Sequence, residues 1–434
     1  MIKDKNLMSY LFHIAFILTV LTLLFGRSFV GIYLFNLRLG EYLVASSLLV
    51  TLAVFFCYFF YSDSFRKIVN IVRVHFAIVI SFLLITVLTN SSLLNSYTYK
   101  SSSYIWTLGF LYVGYYIFNY VELNTIHLNV LFFVSLLVYL NSVTATYVPD
   151  LLLDFFINNS DKLESLKGAD LVMVFVIATF FSLKKLPYKR LTIDIFIFLS
   201  AVYLPLVMWK SKGAFLGFIT YVLFQLVNNK QYLRKSLSRN IVIAFISIIL
   251  FFLSSLAVVR GSDLDYGYEE VIPVVANRKV ANNDWLFLYI EDGRIYSYNG
   301  HANWRLQIWQ DVFYDLTEKQ SIFFGYGYDN TIPAMERIDR AGLDGTNIHV
   351  HNYFVNILAR GGLIQLLIFL MFHISIIFYW NRKYLNYSIL IFMIPALLGA
   401  SLDMSMEGVQ YPIVYYLFLG YLLSTQQKSK IINF

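Results

Sequence analysis

The chain has 434 residues, of which 59% are hydrophobic and only 14% charged, with a mean hydropathy of +0.64 and a formal net charge of +7. A soluble domain carries about 25% charged residues, so a water-facing surface of ordinary size cannot be assembled from this composition. Apolar runs near the roughly 20 residues that cross a bilayer recur along the chain, which predicts an all-α polytopic integral membrane protein. The single cysteine, Cys57, lies inside an apolar run, so no intramolecular disulfide and no redox motif is expected.

In chain order, the runs predict spans at about 8–25, 41–61, 74–90, 104–120, 129–147, 168–183, 191–208, 214–228, 240–259, 361–380, 387–402 and 411–424. The first follows a short Lys-bearing start with no small-residue cleavage site behind it, so it reads as a retained helix rather than a signal peptide. About twelve spans return both termini to one side. One set of connections holds Lys3, Lys5, Arg66, Lys67, Arg73, "KKLPYKR" (184–190), "NNKQYLRKSLSRN" (228–240), Arg382, Lys383, Lys428 and Lys430. The short loops opposite hold only Arg27, Arg38, Lys100, Lys162, Lys167, Lys210 and Lys212. The basic excess marks the first side as cytoplasmic, and the net charge follows from topology, with no nucleic acid as partner.

The organisation expected is spans over 1–259, a large outer loop over 260–360 and the last three spans over 361–434. Loops beyond about 12–15 residues are functional or disordered. Here Trp285, Trp304, Trp309 and many Tyr and Phe argue for a folded helical cap, because disordered chains avoid aromatics. In "NWRLQIWQDVFYDL" (303–316), Leu306, Trp309, Phe313 and Leu316 recur at helical spacing, with Asn303 as the expected N-cap.

Chemistry-bearing residues collect on this outer side. In "HVHNYFVNILARGG" Asn352 can cap a helix that Gly361-Gly362 ends or bends, which leaves His351 just ahead of a helix N-terminus. The positive end of the dipole disfavours imidazolium, so His351 is expected neutral and able to accept a proton, while the same N–H groups favour a phosphate. A lone histidine there would be an interfacial polar residue. The neighbouring His349 and the position set a general base beside that reading as an equal alternative. In "WKSKGAFLGF" Lys210 and Lys212 stand at the outer end of a span, either as snorkelling interface lysines or as phosphate ligands. Arg305 and Arg360 are further cations on that side. "GYGYDN" (325–330) reads as a structural turn, and "DLD" (263–265) and the pair His349/His351 are only weak metal motifs. His373, midway along a span, is expected to be satisfied by a neighbouring helix.

Taken together, "NIHVHN" preceded by a large loop with "GYGYDN" and followed by "RGGLIQLLIFL" resembles the O-antigen polymerase and O-antigen ligase superfamily. "KSKGAFLGF" is similar to that family's Ser/Thr-x-Arg-Gly/Ala stretch at a helix start, and "NWRLQIW" to its arginine at the base of the loop. These segments cover about the last half of the chain, and the span layout extends the likeness over the rest. The resemblance implies a glycosyltransferase of the bacterial inner membrane, both termini cytoplasmic and the active site periplasmic, without metal or other cofactor. Its donor would be a glycan on undecaprenyl pyrophosphate and its second substrate an acceptor sugar hydroxyl. It further implies His351 as the residue that activates the acceptor, with Arg305 and Lys212 on the pyrophosphate. Lys210 and Arg360 join these as candidate cations, with His349 and Asn352 in support. Lys212 departs from the commoner arginine, which keeps the charge and loses the bidentate clamp.

A polymerase, whose acceptor is another lipid-linked repeat unit, is expected ahead of a ligase, whose acceptor is lipid A-core, because the Tyr/Phe-rich body is weakly patterned. A flippase or transporter would need ionisable residues near the membrane midplane, whereas nearly all charges sit at span ends or in the loop. A chain-length regulator and a flippase are the implied protein partners, beside the bilayer itself.

Overall fold

The computed structural model describes residues 5–60, 68–143, 150–160, 166–182, 189–233, 236–260, 288–337, 340, 348–402 and 405–424. Apart from two small antiparallel hairpins, its regular structure is helical among those residues. Among the described residues, seven helices are long and apolar enough to cross a membrane. They are α1 (Lys5–Phe25), α2 (Leu39–Phe60), α3 (Val69–Leu88), α5 (Thr125–Val143), α7 (Lys189–Lys210), α9 (Leu237–Arg260) and α11 (Tyr353–Tyr384). Five further apolar runs form shorter helices: α4 (Gly109–Ile117), α6 (Gly168–Ile177), α8 (Lys212–Asn228), α12 (Leu390–Leu402) and α13 (Gln410–Leu423).

The shorter helices include the most enclosed. Every residue of α6 is buried, and so is all of α13 except Tyr421. Helices apolar all round have no outward face to show as a periodic stripe. The expected span 104–120 is broken, with a helical turn at Ser103–Trp106 ahead of α4. α4 and α13 meet backbone to backbone: a Cβ on Gly114 would stand 2.1 Å from the Leu417 carbonyl oxygen, and one on Gly420 would stand 2.1 Å from that of Leu111. Small residues at such crossings let two helices approach without a hydrophobic driving force.

The expected start of the tenth span at 361 is corrected: α11 begins at Tyr353 and is broken at Gly362, which adopts φ 65° and ψ −170°. The break frees two amides, and neighbouring backbone takes both. Leu363 N–H donates to the Ile322 carbonyl at 2.8 Å and Ile364 N–H to that of Phe323 at 3.3 Å.

The cap consists of a hairpin, β3 (Leu288–Glu291) paired with β4 (Arg294–Ser297), and helix α10 (Gly300–Glu318). β1 (Tyr33–Leu34) and β2 (Leu37–Arg38) form the other hairpin. The cap helix starts earlier than expected. Asn299 caps it, accepting the Ala302 N–H at 2.9 Å, while the Asn303 amide oxygen accepts the Ser297 N–H at 3.1 Å. Its buried stripe is Ile308, Val312 and Leu316, packed with Ile332, Met335 and Val350, whereas Phe313 is exposed. The shift has a polar cause: Asp311 is buried on this face between Arg294 (2.6 Å), Arg340 (2.8 Å) and Arg337 (3.2 Å). "DLD" and Trp285 lie outside the described residues.

Several element ends gather at the pole that carries the cap. Gly26, after α1, lies against Leu166, ahead of α6. A Cβ on Gly168 would stand 2.8 Å from the Cβ atoms of Ser211 and Ala214, at the start of α8, and one on Gly213 would stand 2.6 Å from that of Leu402, at the end of α12.

Candidate functional site

The cap holds the histidine segment from above. The Trp309 indole N–H donates to the Val350 carbonyl at 2.8 Å, and Val350 is fully buried in the cap core. Asn352 caps α11, its side-chain oxygen accepting the N–H groups of Phe354 and Val355 at 3.0 and 3.1 Å. Between them His351 adopts φ 55°, a left-handed conformation uncommon for a residue with a Cβ. Strain of this kind persists where surrounding contacts over-determine it, and it concentrates at functional sites.

The His351 ring meets the edge of Trp304, with centroids 5.1 Å apart, and its buried Nδ1 has no hydrogen-bond partner among the described residues. Burial is the first cause that lowers its pKa from 6.5 to about 3; the charges of Arg305, His349, Lys167 and Arg27 lower it further. The neutral imidazole expected from the helix start is therefore present, but its main causes are desolvation and nearby cations.

Arg305 follows Trp304 on α10 and donates through Nη1 to the Leu402 carbonyl at 2.6 Å. Gly213 packs on that same Leu402, so the exposed Lys212 and Arg305 flank the end of α12. Ser211 caps α8, accepting the Ala214 N–H at 3.4 Å. Lys210 lies beside Gly168, and Lys167 precedes it as the N-cap of α6. The N-terminal ends of α6 and α8 thus stand together, with three lysines at their mouths. Helix N-termini carry partial positive charge, so lysines placed there add to a potential that favours an anion.

Arg27 and Lys167 were legible only as two of the few cations on the cation-poor side. Glu407 was missed altogether. It lies in a 3-10 turn, Ser405–Glu407, between α12 and α13, and its side chain is only 5% exposed. His349 pairs with it, Nδ1 standing 2.8 Å from Glu407 Oε2. The two histidines thus take different neighbours, His349 the carboxylate and His351 the cations.

Arg360 is placed apart from this cluster. Buried in the first part of α11, it donates to the Asn330 carbonyl and, at 2.8 Å, to the Tyr97 hydroxyl, with its guanidinium 5.2 Å from the Tyr97 ring centre. "GYGYDN" lies along the same stretch: Tyr326 N–H donates to Ala359 at 2.8 Å and Gly327 N–H to Arg360 at 3.0 Å. This turn clasps the helix break. His373 bonds within its own helix, Nδ1 lying 3.2 Å from the Phe369 carbonyl, rather than to a neighbouring one. Among the described residues, no three His, Cys, Asp or Glu side chains gather as metal ligands.

Residues 195–370 match a family model described as O-Antigen ligase. The match agrees with the superfamily of O-antigen polymerases and ligases, whose members are glycosyltransferase-like enzymes. It supports O-antigen polymerase or ligase activity in general. The matched stretch holds Lys210, Lys212, Arg305, His349, His351, Asn352 and Arg360, whereas Arg27, Lys167 and Glu407 lie outside it. No curated protein matches the chain.

Proposed function

We propose that this protein is a surface-polysaccharide (O-antigen) polymerase of the bacterial inner membrane. It would transfer a glycan from undecaprenyl pyrophosphate to a hydroxyl of another lipid-linked repeat unit. The observation that carries the proposal is the placement of His351, held left-handed against Trp304 with no partner for Nδ1 among the described residues, within electrostatic reach of Arg305, Lys167 and Arg27.

In the proposed step the acceptor oxygen bonds to the anomeric carbon of the donor. The bond from that carbon to the phosphate oxygen breaks, and its electron pair leaves on the pyrophosphate. Arg305 and Lys212 hold that leaving group, with Lys210, Lys167 and Arg27 adding charge around it. Fixed cations aimed at developing negative charge lower a barrier without reorganising during the reaction. The acceptor proton passes to the His351 imidazole. A base with a pKa near 3 is weak, but the arriving pyrophosphate offsets the cations that depress it, so donor binding raises its basicity. Asn352 and His349 support the segment.

The cap pole is proposed to be periplasmic and both termini cytoplasmic. A flippase would deliver the repeat units and a chain-length regulator would limit their number. Lipopolysaccharide banding of a deletion strain tests the choice of acceptor. Core bearing a single repeat unit is expected; bare core with polymer left on the lipid carrier would assign a ligase instead.

A further inference from the structure

The polar groups at the cap pole divide by charge. Arg305, Lys167 and Arg27 act on His351, whereas His349, two residues earlier, faces the carboxylate of Glu407. Glu407 uses Oε2 for His349, and its other oxygen, Oε1, is buried with no hydrogen-bond partner among the described residues. Ser405, two positions earlier in the same turn, is 1% exposed, and its Oγ is likewise unpartnered. The turn is packed against α11, α12 and α13. A buried polar atom without a partner costs the full desolvation of that group, and a charged one costs more. Two such oxygens on one three-residue turn need an explanation, and hydrogen-bond donors are what they lack.

We infer that Glu407 and Ser405, with His349 at the rim, form the subsite that holds the acceptor sugar by its hydroxyls. Each sugar hydroxyl can donate to the carboxylate oxygen, and Ser405 Oγ can donate or accept. The His349 side chain is 32% exposed, against 5% for Glu407, so it marks the open side of the turn. A carboxylate repels phosphate. The turn therefore suits a neutral polyol, while the cations around His351 suit the pyrophosphate, and the two substrates cannot exchange places. This inference rests on the glycosyl-transfer function proposed above and names the acceptor side of that same site.

The test uses the full-length protein in lipid nanodiscs and two probes. One is an oligosaccharide of a single repeat unit released from the host's own polymer, which can accept but cannot donate. The other is farnesyl pyrophosphate, which can occupy only the cationic side. Binding of each is measured by calorimetry, so turnover is not required. Glu407→Gln is expected to weaken oligosaccharide binding about tenfold or more, because a bond to a charged group is lost, with Ser405→Ala giving a smaller loss. Glu407→Asp should recover part of it, and farnesyl pyrophosphate should bind all variants equally. In a transfer assay the same changes should raise the acceptor KM more than they lower kcat. Unchanged oligosaccharide binding in Glu407→Gln and Ser405→Ala, the result expected if ordered water alone satisfies these atoms, would overturn the inference. Equal loss of both probes would overturn it too, because the turn would then be only structural. Glu407-dependent binding in a protein that never transfers the glycan would uphold the subsite and remove the transfer function instead.

Discussion

The Trp309 indole N–H donates to the Val350 carbonyl at 2.8 Å, and this bond ties the cap helix to the residue between the two histidines. His351 depends on the tie, since its left-handed backbone must be held from outside and Trp304 sits against its ring. Trp309→Phe keeps most of the ring and removes the bond. It should cost roughly 0.5–1.5 kcal/mol of cap stability and lower transfer by more than that stability loss alone explains. Parallel measurement of thermal stability and transfer rate in detergent checks this. Wild-type transfer by Trp309→Phe would show that the tie does not position His351.

The pH dependence follows from the low His351 pKa. A folded-state value of about 3 lies below the ordinary 6.5, so the unfolded chain binds this proton first as pH falls. The stability that His351 contributes is therefore complete above about pH 6.5 and is lost progressively between there and pH 3. The free enzyme, by contrast, should show no acid limb in kcat/KM from His351 between about pH 5 and 8. Arg305→Gln removes a cation that acts on the ring and should raise the histidine pKa. A kcat/KM profile falling with a midpoint near 6.5 in the wild type would contradict the burial of this imidazole.

The cations around the end of α12 differ in what they tolerate. Arg305 is anchored to the Leu402 carbonyl, whereas Lys212 is exposed at a helix start. Lys212→Arg should keep much of the activity, Lys212→Glu should abolish it, and Arg305→Lys should fall between, because the anchor needs the longer planar group. Polymer formation in a complemented deletion strain, with protein level measured alongside, distinguishes these outcomes. Full activity with Glu at position 212 or 305 would remove that residue from the pyrophosphate.

Much of this was legible in advance, for physical reasons that differ by element. The apolar runs were readable because the bilayer imposes a length, and each of them is helical. The ends were read to within a residue for the enclosed α13, expected at 411–424 and found at Gln410–Leu423, whereas the start of α11 at Tyr353 was missed because the stretch before Gly362 is mixed in polarity. The Asn352 cap and the Gly361-Gly362 bend were local chemistry and could be read directly. The cap stripe was misjudged because Asp311 and Gln307 occupy buried positions that a hydrophobic count assigns to solvent. Glu407 could not have been found, since nothing in "MSMEGVQ" says that its carboxylate lies 2.8 Å from a histidine 58 residues earlier. Arg360 read as another phosphate ligand, and its bonds to Asn330 and Tyr97 could not be foreseen from the sequence.

Asp311 should carry the cap. Burial pushes its pKa up, but hydrogen bonds from Arg294 and Arg340 and their charges outweigh that and hold it below the ordinary carboxylate value. The group thus stabilises the fold above its unfolded pKa, and that contribution is lost as pH falls below about 4. Asp311→Ala leaves three partly exposed arginines without their carboxylate and should destabilise the cap by roughly 1–3 kcal/mol. Limited proteolysis should then cut within the cap while the spans stay intact. An unchanged cleavage pattern would mean that the arginines are satisfied elsewhere.

The central claim is that His351 takes the acceptor proton in a transfer driven by pyrophosphate departure, and one assay addresses it directly. Purified protein in lipid is given lipid-linked repeat units without nucleotide, and polymer and free undecaprenyl pyrophosphate are measured together. The wild type should release about one carrier pyrophosphate per linkage formed, as the balance of the step requires. His351→Ala should be slower by 10²–10⁴-fold, the usual worth of general-base catalysis, with donor binding retained, and His349→Ala should be affected less. Transfer by His351→Ala at the wild-type rate would contradict the assignment and leave the segment a purely structural one.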